Sequence, residues 1–411
     1  MPSFILVRVI FLFNPFQDLS KIYMYVSKRS YHFFIITVVS FFALFACSDD
    51  NVTSPPTQEN GSIDWQAAAD SSSNSLILNY WNNSENYFNY GNRGKTDFHY
   101  WPQAHALDVL VDAYLRTGDS YYVQYMHEWF EGVHYHNGQT FLNIFYDDMQ
   151  WNAIAMLRAY HITGDEKFLE ATIKVWEQIL TGWTDLLNGG IMWAEFTPHS
   201  KNACSNAPAS ILAARLYHTT GEQEYLDWAI KIYEWQKNHL IDHANGAVWD
   251  SIAMENNSIV INKNWIFTYN QGTYVGAAVE LYEITGHSFY LDDAVKSADY
   301  TLHALSQPNT QLLVDEGGGD GGLFKGIFIR YFTELILLDD LQDNTRNRYV
   351  RFLEHNAETL WSEGTEKSNV LFDSFWGSSP GHNEEIDLTI QLSGAMLIEA
   401  AALLQNEGLI N

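Results

Sequence analysis

The sequence predicts an all-α protein with the architecture of an (α/α)6 toroid, a barrel built from six helical hairpins. Three observations lead to this prediction. A Thr-Gly turn joins two helical segments at four places in the chain, weaker helical patterns bring the number of helices to twelve, and apolar residues make up 46% of the 411 residues. An irregular all-α bundle is the alternative that the helix count leaves open.

Each turn has a Tyr three residues before the Thr and a polar residue directly after the Gly. The four Thr-Gly pairs are Thr117-Gly118, Thr163-Gly164, Thr220-Gly221 and Thr285-Gly286. Gly adopts the left-handed conformation that ends one helix, and a residue such as Asp caps the next. Each motif therefore predicts an antiparallel helical hairpin. The spacings between the pairs are uneven, which excludes the fixed period of a solenoid.

Weaker patterns predict further helices over residues 64–81, 323–340, 344–361 and 388–405. If each hairpin begins with an inner helix, the six inner helices start near Trp101, Asp147, Asn202, Tyr269, Leu323 and Leu388. Because successive hairpins then run in the same sense, the N-termini of the inner helices share one face of the barrel. Residues 62–411 are predicted to form this single catalytic domain.

The first 47 residues are predicted to be a bacterial lipoprotein signal. Two basic residues precede an apolar run over 31–46, which ends at Cys47, the residue that would carry the lipid. A membrane-spanning helix is the alternative, but the run is shorter than the ~20 residues that a span needs. A start at Met24 would give a conventional signal length.

Residues 48–61, which include Pro55 and Pro56, are predicted to be a flexible tether. The acidic residues directly after Cys47 resemble the surface-export signal of Bacteroidota lipoproteins. The predicted location is therefore the bacterial outer membrane, on its periplasmic or cell-surface face, with the membrane reached through the lipid at Cys47. The protein is predicted to be a monomer.

The charge of the chain excludes one class of partner. Lys and Arg number 22 and Asp and Glu number 50, so the formal net charge is 22 − 50 = −28. Nucleic acid binding depends on cationic side chains that neutralise phosphates, so no nucleic acid partner is expected. Only Cys204 remains after Cys47, and it is predicted to be a buried thiol rather than half of a disulfide.

Aromatic and amide side chains cluster where the inner helices begin, and this composition is typical of a carbohydrate-binding cleft. The candidate substrate-binding residues are Trp101, Trp151, Asn202, Asn206, Tyr269, Asn270, Gln271 and Lys325. Helix capping is an alternative role for Asn202 and Asn206, and a solvated lysine is an alternative for Lys325. The Gly-rich run 315–322 fits neither an EF-hand nor a P-loop and is predicted to be a flexible rim loop. The histidines show no metal-binding spacing, so no metal or other cofactor is predicted.

The adjacent aspartates Asp147 and Asp148 are the candidate catalytic residues. Glycoside hydrolysis needs one carboxyl group that protonates the leaving oxygen and a second that attacks the anomeric carbon or activates a water. Neighbouring side chains in the first turn of a helix project about 100° apart and can reach both sides of a bond. Two like charges so close raise one pKa, which favours an acid and a nucleophile. Helix capping by Asp is the alternative; the pairs 292–293 and 339–340 are interpreted as solvated acidic faces.

With these motifs the chain resembles glycoside hydrolase family 76, the endo-acting α-1,6-mannanases, from about residue 64 to the C-terminus. The matching segments are Tyr146-Asp147-Asp148 with Trp151 and 157–160, residues 202–208 with 213–217, and residues 268–272 with 276–282. The resemblance implies an (α/α)6 barrel, an α-mannan substrate and a retaining mechanism without a metal. It also implies that Asp147 is the nucleophile and Asp148 the general acid/base.

Other functions compete with this interpretation. A surface lipoprotein that binds glycans without catalysis would keep the aromatic residues and need no carboxylate pair. An (α/α)6 glycosidase or transglycosidase acting on a different linkage would keep both. An unsaturated-uronyl hydrolase or sugar epimerase is less well supported, because an acidic substrate would require Arg and Lys that the rim motifs almost entirely lack.

Overall fold

The computed structural model describes residues 62–411; the signal, Cys47 and the tether lie outside the described residues. The described part contains twelve α-helices. They are α1 (Trp65–Tyr80), α2 (Tyr100–Thr117), α3 (Ser120–His136), α4 (Tyr146–Thr163), α5 (Glu166–Leu180), α6 (Ala207–Thr220), α7 (Gln223–Leu240), α8 (Thr268–Thr285), α9 (Ser288–Ala304), α10 (Gly321–Leu337), α11 (Asp343–Ser362) and α12 (Leu388–Asn406).

The even-numbered helices form a closed inner ring. Each packs against the next even-numbered helix, and α12 returns to pack against α2. The odd-numbered helices lie outside this ring: α3, α5, α7 and α9 each pack on the inner helix that precedes them, whereas α1 and α11 pack mainly on α12. The (α/α)6 toroid and the inner-first order of the hairpins are therefore confirmed.

The two ends of the described chain close the barrel. Helix α1 provides the outer partner for α12, to which it is joined by side chain to backbone hydrogen bonds. The backbone N–H of Trp65 donates to Gln405 Oε1 (3.0 Å), and Gln66 Nε2 donates to the carbonyl of Ala402 (2.7 Å). The sixth helix pair is thus assembled from segments more than 300 residues apart in sequence.

Inner and outer helices differ in how much of their surface is buried. The outer helix α5 buries one stripe of residues, Phe168, Thr172, Val175, Trp176 and Ile179, which recur at helical spacing. The inner helix α12 is buried on nearly all sides. By length and composition α12 could span a membrane, but it lies inside the core of the barrel.

The Thr-Gly turns have the predicted conformation. Gly164 has φ 64°, and its N–H donates to the carbonyl of Tyr160 (2.8 Å). The hydroxyl of Thr163 donates to the carbonyl of Ala159 and accepts from the N–H of Asp165. The other three turns repeat this pattern, with φ values of 70°, 74° and 67° at Gly118, Gly221 and Gly286.

Short antiparallel strands lie in the connections between hairpins. They are β1 (Trp81–Asn82), β2 (Tyr87–Phe88), β3 (Ser200–Asn202), β4 (Ser251–Glu255), β5 (Ser258–Asn262), β6 (Thr365–Glu366) and β7 (Leu371–Phe372), which form three sheets, β1-β2, β3-β4-β5 and β6-β7. The predicted start of the third inner helix at Asn202 is wrong, because Asn202 pairs with Ser251 in a sheet. That helix starts at Ala207 and has Pro208 in its first turn. Proline is tolerated there because backbone N–H groups of the first turn have no partner within the helix.

Buried carboxamides near the starts of inner helices hold the connections in place. Each accepts a hydrogen bond from a backbone N–H and donates one to a backbone carbonyl of the connection before its helix. The pairs are Gln103 with Phe88, Asn206 with Ile191, Gln271 with Val248, and Gln391 with Phe372 and Val370, at 2.7–3.2 Å. The loops around the barrel mouth are therefore anchored to the rigid ring.

We expect Gly164→Ala to lower the free energy of unfolding by about 1–2 kcal/mol, because a Cβ is disfavoured in the left-handed conformation. No heavy atom lies within 4 Å of the added Cβ, so a clash is not the cause. Gly164→Asn is the matched control, since Asn tolerates this conformation better. Urea unfolding of the two variants measures the difference, and equal losses would contradict the conformational explanation.

Candidate active site

Asp147 and Asp148 lie in the first turn of α4, on the face where the inner helices begin. The N-cap position is occupied by Phe145, and no side chain caps the helix there. The alternative interpretation, that the two aspartates cap this helix, is therefore wrong. Both carboxyl groups are instead available to the mouth of the barrel.

The Asp147 carboxyl is held by one tryptophan and by the helix start. Its Oδ2 accepts a hydrogen bond from Trp193 Nε1 (3.2 Å), and its Oδ1 is buried without a partner among residues 62–411. Burial raises the pKa of Asp147 to about 6. The Cys204 thiol, the backbone N–H groups at the helix start and Trp193 oppose this rise by stabilising the anion.

The Asp148 carboxyl is in a different environment. It accepts no hydrogen bond from the described part of the chain, and burial raises its pKa well above the usual value. The negative charges of Asp147 and Asp320 raise it further. Burial and the two negative charges therefore favour a proton on Asp148, while the donors around Asp147 favour its anion, which is the division of roles that acid and nucleophile require.

A loop that follows α5 places Trp193 beside Asp147. The backbone N–H of Tyr146 donates to the carbonyl of Trp193 (2.9 Å), which sets the indole next to the start of α4. Gly189 and Gly190 have φ values of 120° and 81°, and a Cβ at either would lie within 2.6 Å of a tryptophan ring. Glycine is therefore required at both positions for this loop to pass through the packed indoles.

Two residues that were predicted to bind substrate instead hold the backbone around the site in place. Asn206 and Gln271 are fully buried, and their amide groups are hydrogen bonded to the backbone of Ile191 and Val248. Neither side chain has exposed surface that a sugar could contact. Asn206 fixes the segment that carries Trp193, and Gln271 fixes the segment that leads to β4.

Trp151 and Lys325 also lie in the interior, contrary to the prediction that they bind substrate. The Trp151 ring is 4% exposed and packs against His105, with ring centroids 5.1 Å apart. Lys325 is 1% exposed; its ammonium group donates to the carbonyl of Ser374 and lies 4.5 Å from the Trp376 ring centroid. The alternative interpretation of Lys325 as a solvated lysine is wrong as well.

Asn202 and Asn270 remain at the site and share a carboxylate that the sequence analysis missed. Asp250, directly before β4, is 5% exposed and accepts long hydrogen bonds of 3.4 Å from both Asn202 Nδ2 and Asn270 Nδ2. The Asn270 Oδ1 atom is buried and has no partner in residues 62–411. Burial raises the pKa of Asp250.

Tyr269 lies over this group and stacks on Phe324, with ring centroids 4.0 Å apart and an interplanar angle of 20°. Burial raises the pKa of its hydroxyl well above the usual value, and Cys204, Asp250 and Asp147 raise it further. Tyr269 therefore stays protonated and available as a hydrogen-bond donor. Cys204 is a buried thiol, as predicted.

Trp101, another predicted substrate contact, lies in the first turn of α2, and little of its ring is exposed. Its Nε1 donates to Asp320 Oδ1 (3.0 Å), which joins the start of α2 to the start of α10. The Gly-rich run 315–322 was expected to be flexible, yet Glu316 anchors it by accepting hydrogen bonds from the backbone N–H and hydroxyl of Thr268.

The other aspartate pairs lie away from this face. Asp292, Asp339 and Asp340 are exposed, as interpreted from the sequence. Asp293 differs, because it accepts hydrogen bonds from the Tyr233 hydroxyl (2.7 Å) and Lys237 Nζ (2.5 Å). The residues that sequence analysis missed at the site, Trp193, Asp250 and Asp320, all lie in irregular connections, where no periodic pattern marks a position. The only local signals are Gly-Gly before Trp193 and the Gly-rich run before Asp320.

Comparison with known proteins places this geometry in a family. The chain is similar over 51% of its length to the mannan endo-1,6-alpha-mannosidase of Candida glabrata (29% identity over 234 residues) and over 42% to that of Saccharomyces cerevisiae (36% identity over 191 residues). The matched region spans about half, or less, of these curated relatives (50% and 40% of their lengths).

A solved structure matches a larger share of the chain than these curated relatives do. It is an inactive variant of the α-1,6-mannanase of Salegentibacter sp. HEL1_6, in which two consecutive aspartates are replaced by alanine, in complex with alpha-1,6-mannotetrose. It is 45% identical to this chain with a TM-score of 0.80, and the match covers 83% of this chain and 100% of that one. The model of glycosyl hydrolase family 76 matches residues 64–410. The chain therefore belongs to glycosyl hydrolase family 76.

Proposed function

We propose that this protein is a retaining, endo-acting hydrolase of α-1,6-mannosidic linkages in mannan backbones, with Asp147 as nucleophile and Asp148 as general acid/base. The observation that carries the proposal is the unequal environment of two adjacent carboxyl groups at the barrel mouth. Asp147 has a donor, Trp193 Nε1, that stabilises its anion, and Asp148 has none and faces two other negative charges.

The proposed reaction has two steps. Asp148 transfers its proton to the leaving glycosidic oxygen while an oxygen of Asp147 attacks the anomeric carbon, so that a glycosyl-enzyme ester forms and the shortened mannan leaves. A water molecule then attacks the same carbon, Asp148 takes its proton, and the ester bond to Asp147 breaks. Both carboxyl groups return to their starting protonation states, and the sugar keeps its anomeric configuration.

The relatives support the choice of substrate. The curated proteins that share sequence with this chain are named mannan endo-1,6-alpha-mannosidases. The solved relative lost its activity when two consecutive aspartates were replaced and was observed with an α-1,6-linked mannose oligomer. Because Asp147 and Asp148 are consecutive aspartates at the start of an inner helix, we infer that they have the same importance here.

The neighbouring side chains suit a neutral sugar chain. On the Asp147 side, Phe145, Trp193 and Phe196 form an aromatic cluster with ring centroids 5.0–6.2 Å apart, and Phe196 is 60% exposed. Aromatic faces of this kind pack against the apolar faces of sugar rings. We infer that Asp250 and Asn202 bind hydroxyl groups of the mannosyl residue that becomes attached to Asp147, while Asn270, which is fully buried, orients the Asp250 carboxylate.

We further propose that the protein is lipidated at Cys47 and attached to the bacterial outer membrane, where it acts as a monomer. The support is the basic and apolar sequence before Cys47 and the acidic residues after it. An enzyme tethered in this way would release oligosaccharides close to the cell that takes them up.

Replacement of either catalytic carboxyl by an amide should abolish most of the activity. We expect Asp147→Asn and Asp148→Asn each to lower the rate of oligosaccharide release from linear α-1,6-mannan on the order of 10²–10⁴-fold, because each removes a group that reacts in both steps. Asp292→Asn, at an exposed position of α9, is the matched control and should be fully active.

An aryl α-1,6-mannobioside with a strongly acidic phenol separates the two roles. Its leaving group needs no proton, so the first step should survive in Asp148→Asn and fail in Asp147→Asn. Near-normal turnover of mannan by either variant would disprove the assignment. Binding of mannan by the wild type without any release of product would favour the glycan-binding lipoprotein.

The raised pKa of Asp147 predicts that the amide variants are more stable than the wild type at neutral to alkaline pH. The folded protein holds this proton up to about pH 6, whereas the unfolded chain releases it near about pH 4. Ionisation therefore destabilises the folded state as the pH rises through this interval. We expect the Asp147→Asn, Asp148→Asn double variant to have the higher Tm at about pH 8, with a gain that disappears towards about pH 4.

Scanning calorimetry across this pH range measures the gain, with Asp292→Asn as the control that should follow the wild type at every pH. A double variant less stable than the wild type at alkaline pH would show that the pair is not a buried, charge-destabilised site.

Lipidation at Cys47 predicts that the full-length chain incorporates labelled palmitate when it is expressed in a bacterium and that it fractionates with membranes. Cys47→Ala should lose the label and leave the membrane fraction, because no thiol remains to carry the lipid. Cys204→Ala is the control and should keep the label. Label in the Cys47→Ala variant would contradict the proposed anchor.

A further inference from the structure

A second group of side chains lies at the barrel mouth between the starts of α2 and α10. It consists of Tyr90, His99, Trp101 and Asp320, which come from the connection before α2, the first turn of α2 and the N-cap of α10. The ring centroids of Tyr90 and His99 are 5.1 Å apart, and those of His99 and Trp101 are 6.4 Å apart at an interplanar angle of 89°. We call this group the α2–α10 niche.

Three polar groups of the niche have no protein partner. Within residues 62–411, the Tyr90 hydroxyl, the His99 imidazole and Asp320 Oδ2 make no hydrogen bond, whereas Asp320 Oδ1 is held by Trp101 Nε1 (3.0 Å). The side chain of Asp320 does not cap its own helix. Tyr90 and His99 are half-buried and Asp320 is exposed, so a ligand in the barrel mouth can reach all three groups.

The walls around the niche are fixed by other hydrogen bonds. Asp387, the N-cap of α12, pairs with Lys95 Nζ (2.6 Å) through one oxygen and accepts from the N–H of Gly319 (3.3 Å) through the other. The N–H of Leu388 donates to the carbonyl of Tyr90 (2.7 Å). Fixed walls with unpaired polar groups between them are typical of a preformed ligand site.

The charges of the niche select a neutral ligand. The charged groups that face it are Asp320 and Asp387, which is paired with Lys95, so the net charge of the niche is negative. Burial lowers the pKa of His99, although Asp320 opposes this effect, so the imidazole is neutral at neutral pH and can both donate and accept. An anionic ligand would be repelled, and a polyhydroxyl ligand can satisfy all three unpaired groups.

We propose that Tyr90, His99 and Asp320 form a subsite that binds the mannosyl residue of the leaving group. The inference rests on the proposed function, in which Asp148 donates its proton to the leaving oxygen. The niche lies beside Asp148 at the start of α2, whereas Trp193 donates to Asp147 from the connection before α6, so the sugar that the niche holds is the one that departs. The hydroxyls of that sugar donate to Asp320 Oδ2 and exchange hydrogen bonds with Tyr90 and His99.

The test compares two substrates that differ only in the leaving group. In α-1,6-mannohexaose the leaving group is a sugar, whereas in the aryl α-1,6-mannobioside it is a phenol that cannot use the niche. We expect Asp320→Asn, which keeps the acceptor for Trp101, and Tyr90→Phe each to lower kcat/KM for the hexaose about tenfold, the effect of one hydrogen bond lost to a charged or oriented group. The aryl substrate should change less than twofold.

Asp315→Asn is the matched control, because Asp315 is an exposed acid of the same Gly-rich run and its side chain accepts only from the N–H of Gly317. Equal losses on both substrates would show that the variants act on folding and would overturn the subsite. A loss on the hexaose for Asp320→Asn that Tyr90→Phe does not share would show that Asp320 acts through the pKa of Asp148 and would overturn it as well. Unchanged kinetics on both substrates would overturn it too. Failure of the wild type to hydrolyse either substrate would instead reject the proposed function.

Discussion

Closure of the inner ring is the constraint on which the rest of the structure depends. An inner helix such as α12 is apolar on nearly all sides, so it is stable in water only when neighbours surround it completely. That condition is met when α1 packs against α12 and joins the two ends of the described chain. The four Thr-Gly turns fix the local direction of the chain, but the long-range contact between α1 and α12 makes the barrel.

Buried aspartates at the two ends of the barrel have pKa values shifted in opposite directions. At the C-terminal ends of the inner helices, Asp112 is paired with Arg158 (2.6 Å) and Arg330 (2.7 Å), and these cations outweigh the effect of burial and lower the pKa of Asp112 to about 2. At the N-terminal ends, Asp147 and Asp148 are also buried but have no cation beside them, so burial raises their pKa values. Stability is concentrated at one end and chemical reactivity at the other.

The buried carboxamides connect the fold to the site. Asn206 and Gln271 were predicted to touch the substrate because amides and aromatic residues converge on the rim. The structure shows that their function is to hold the backbone of Ile191 and Val248, and through it Trp193 and Asp250, in place. An amide is suited to this work because it donates and accepts at once, so it satisfies both polar groups of a residue that cannot join a regular sheet.

The sequence by itself determined the helices, their order and the aspartate pair, because these depend on local rules: periodic apolar residues, glycine at the left-handed position and adjacent carboxyls in one helical turn. Tertiary structure alone decided which polar residues face the cleft. Lys325 and Gln271 are buried in the interior. The residues Trp193, Asp250 and Asp320 lie at the site although they belong to connections of irregular length. The sequence of a loop follows no periodic pattern, and the position of a loop residue is set by its contacts with distant residues of the ring. Its role can therefore be determined only from the closed barrel.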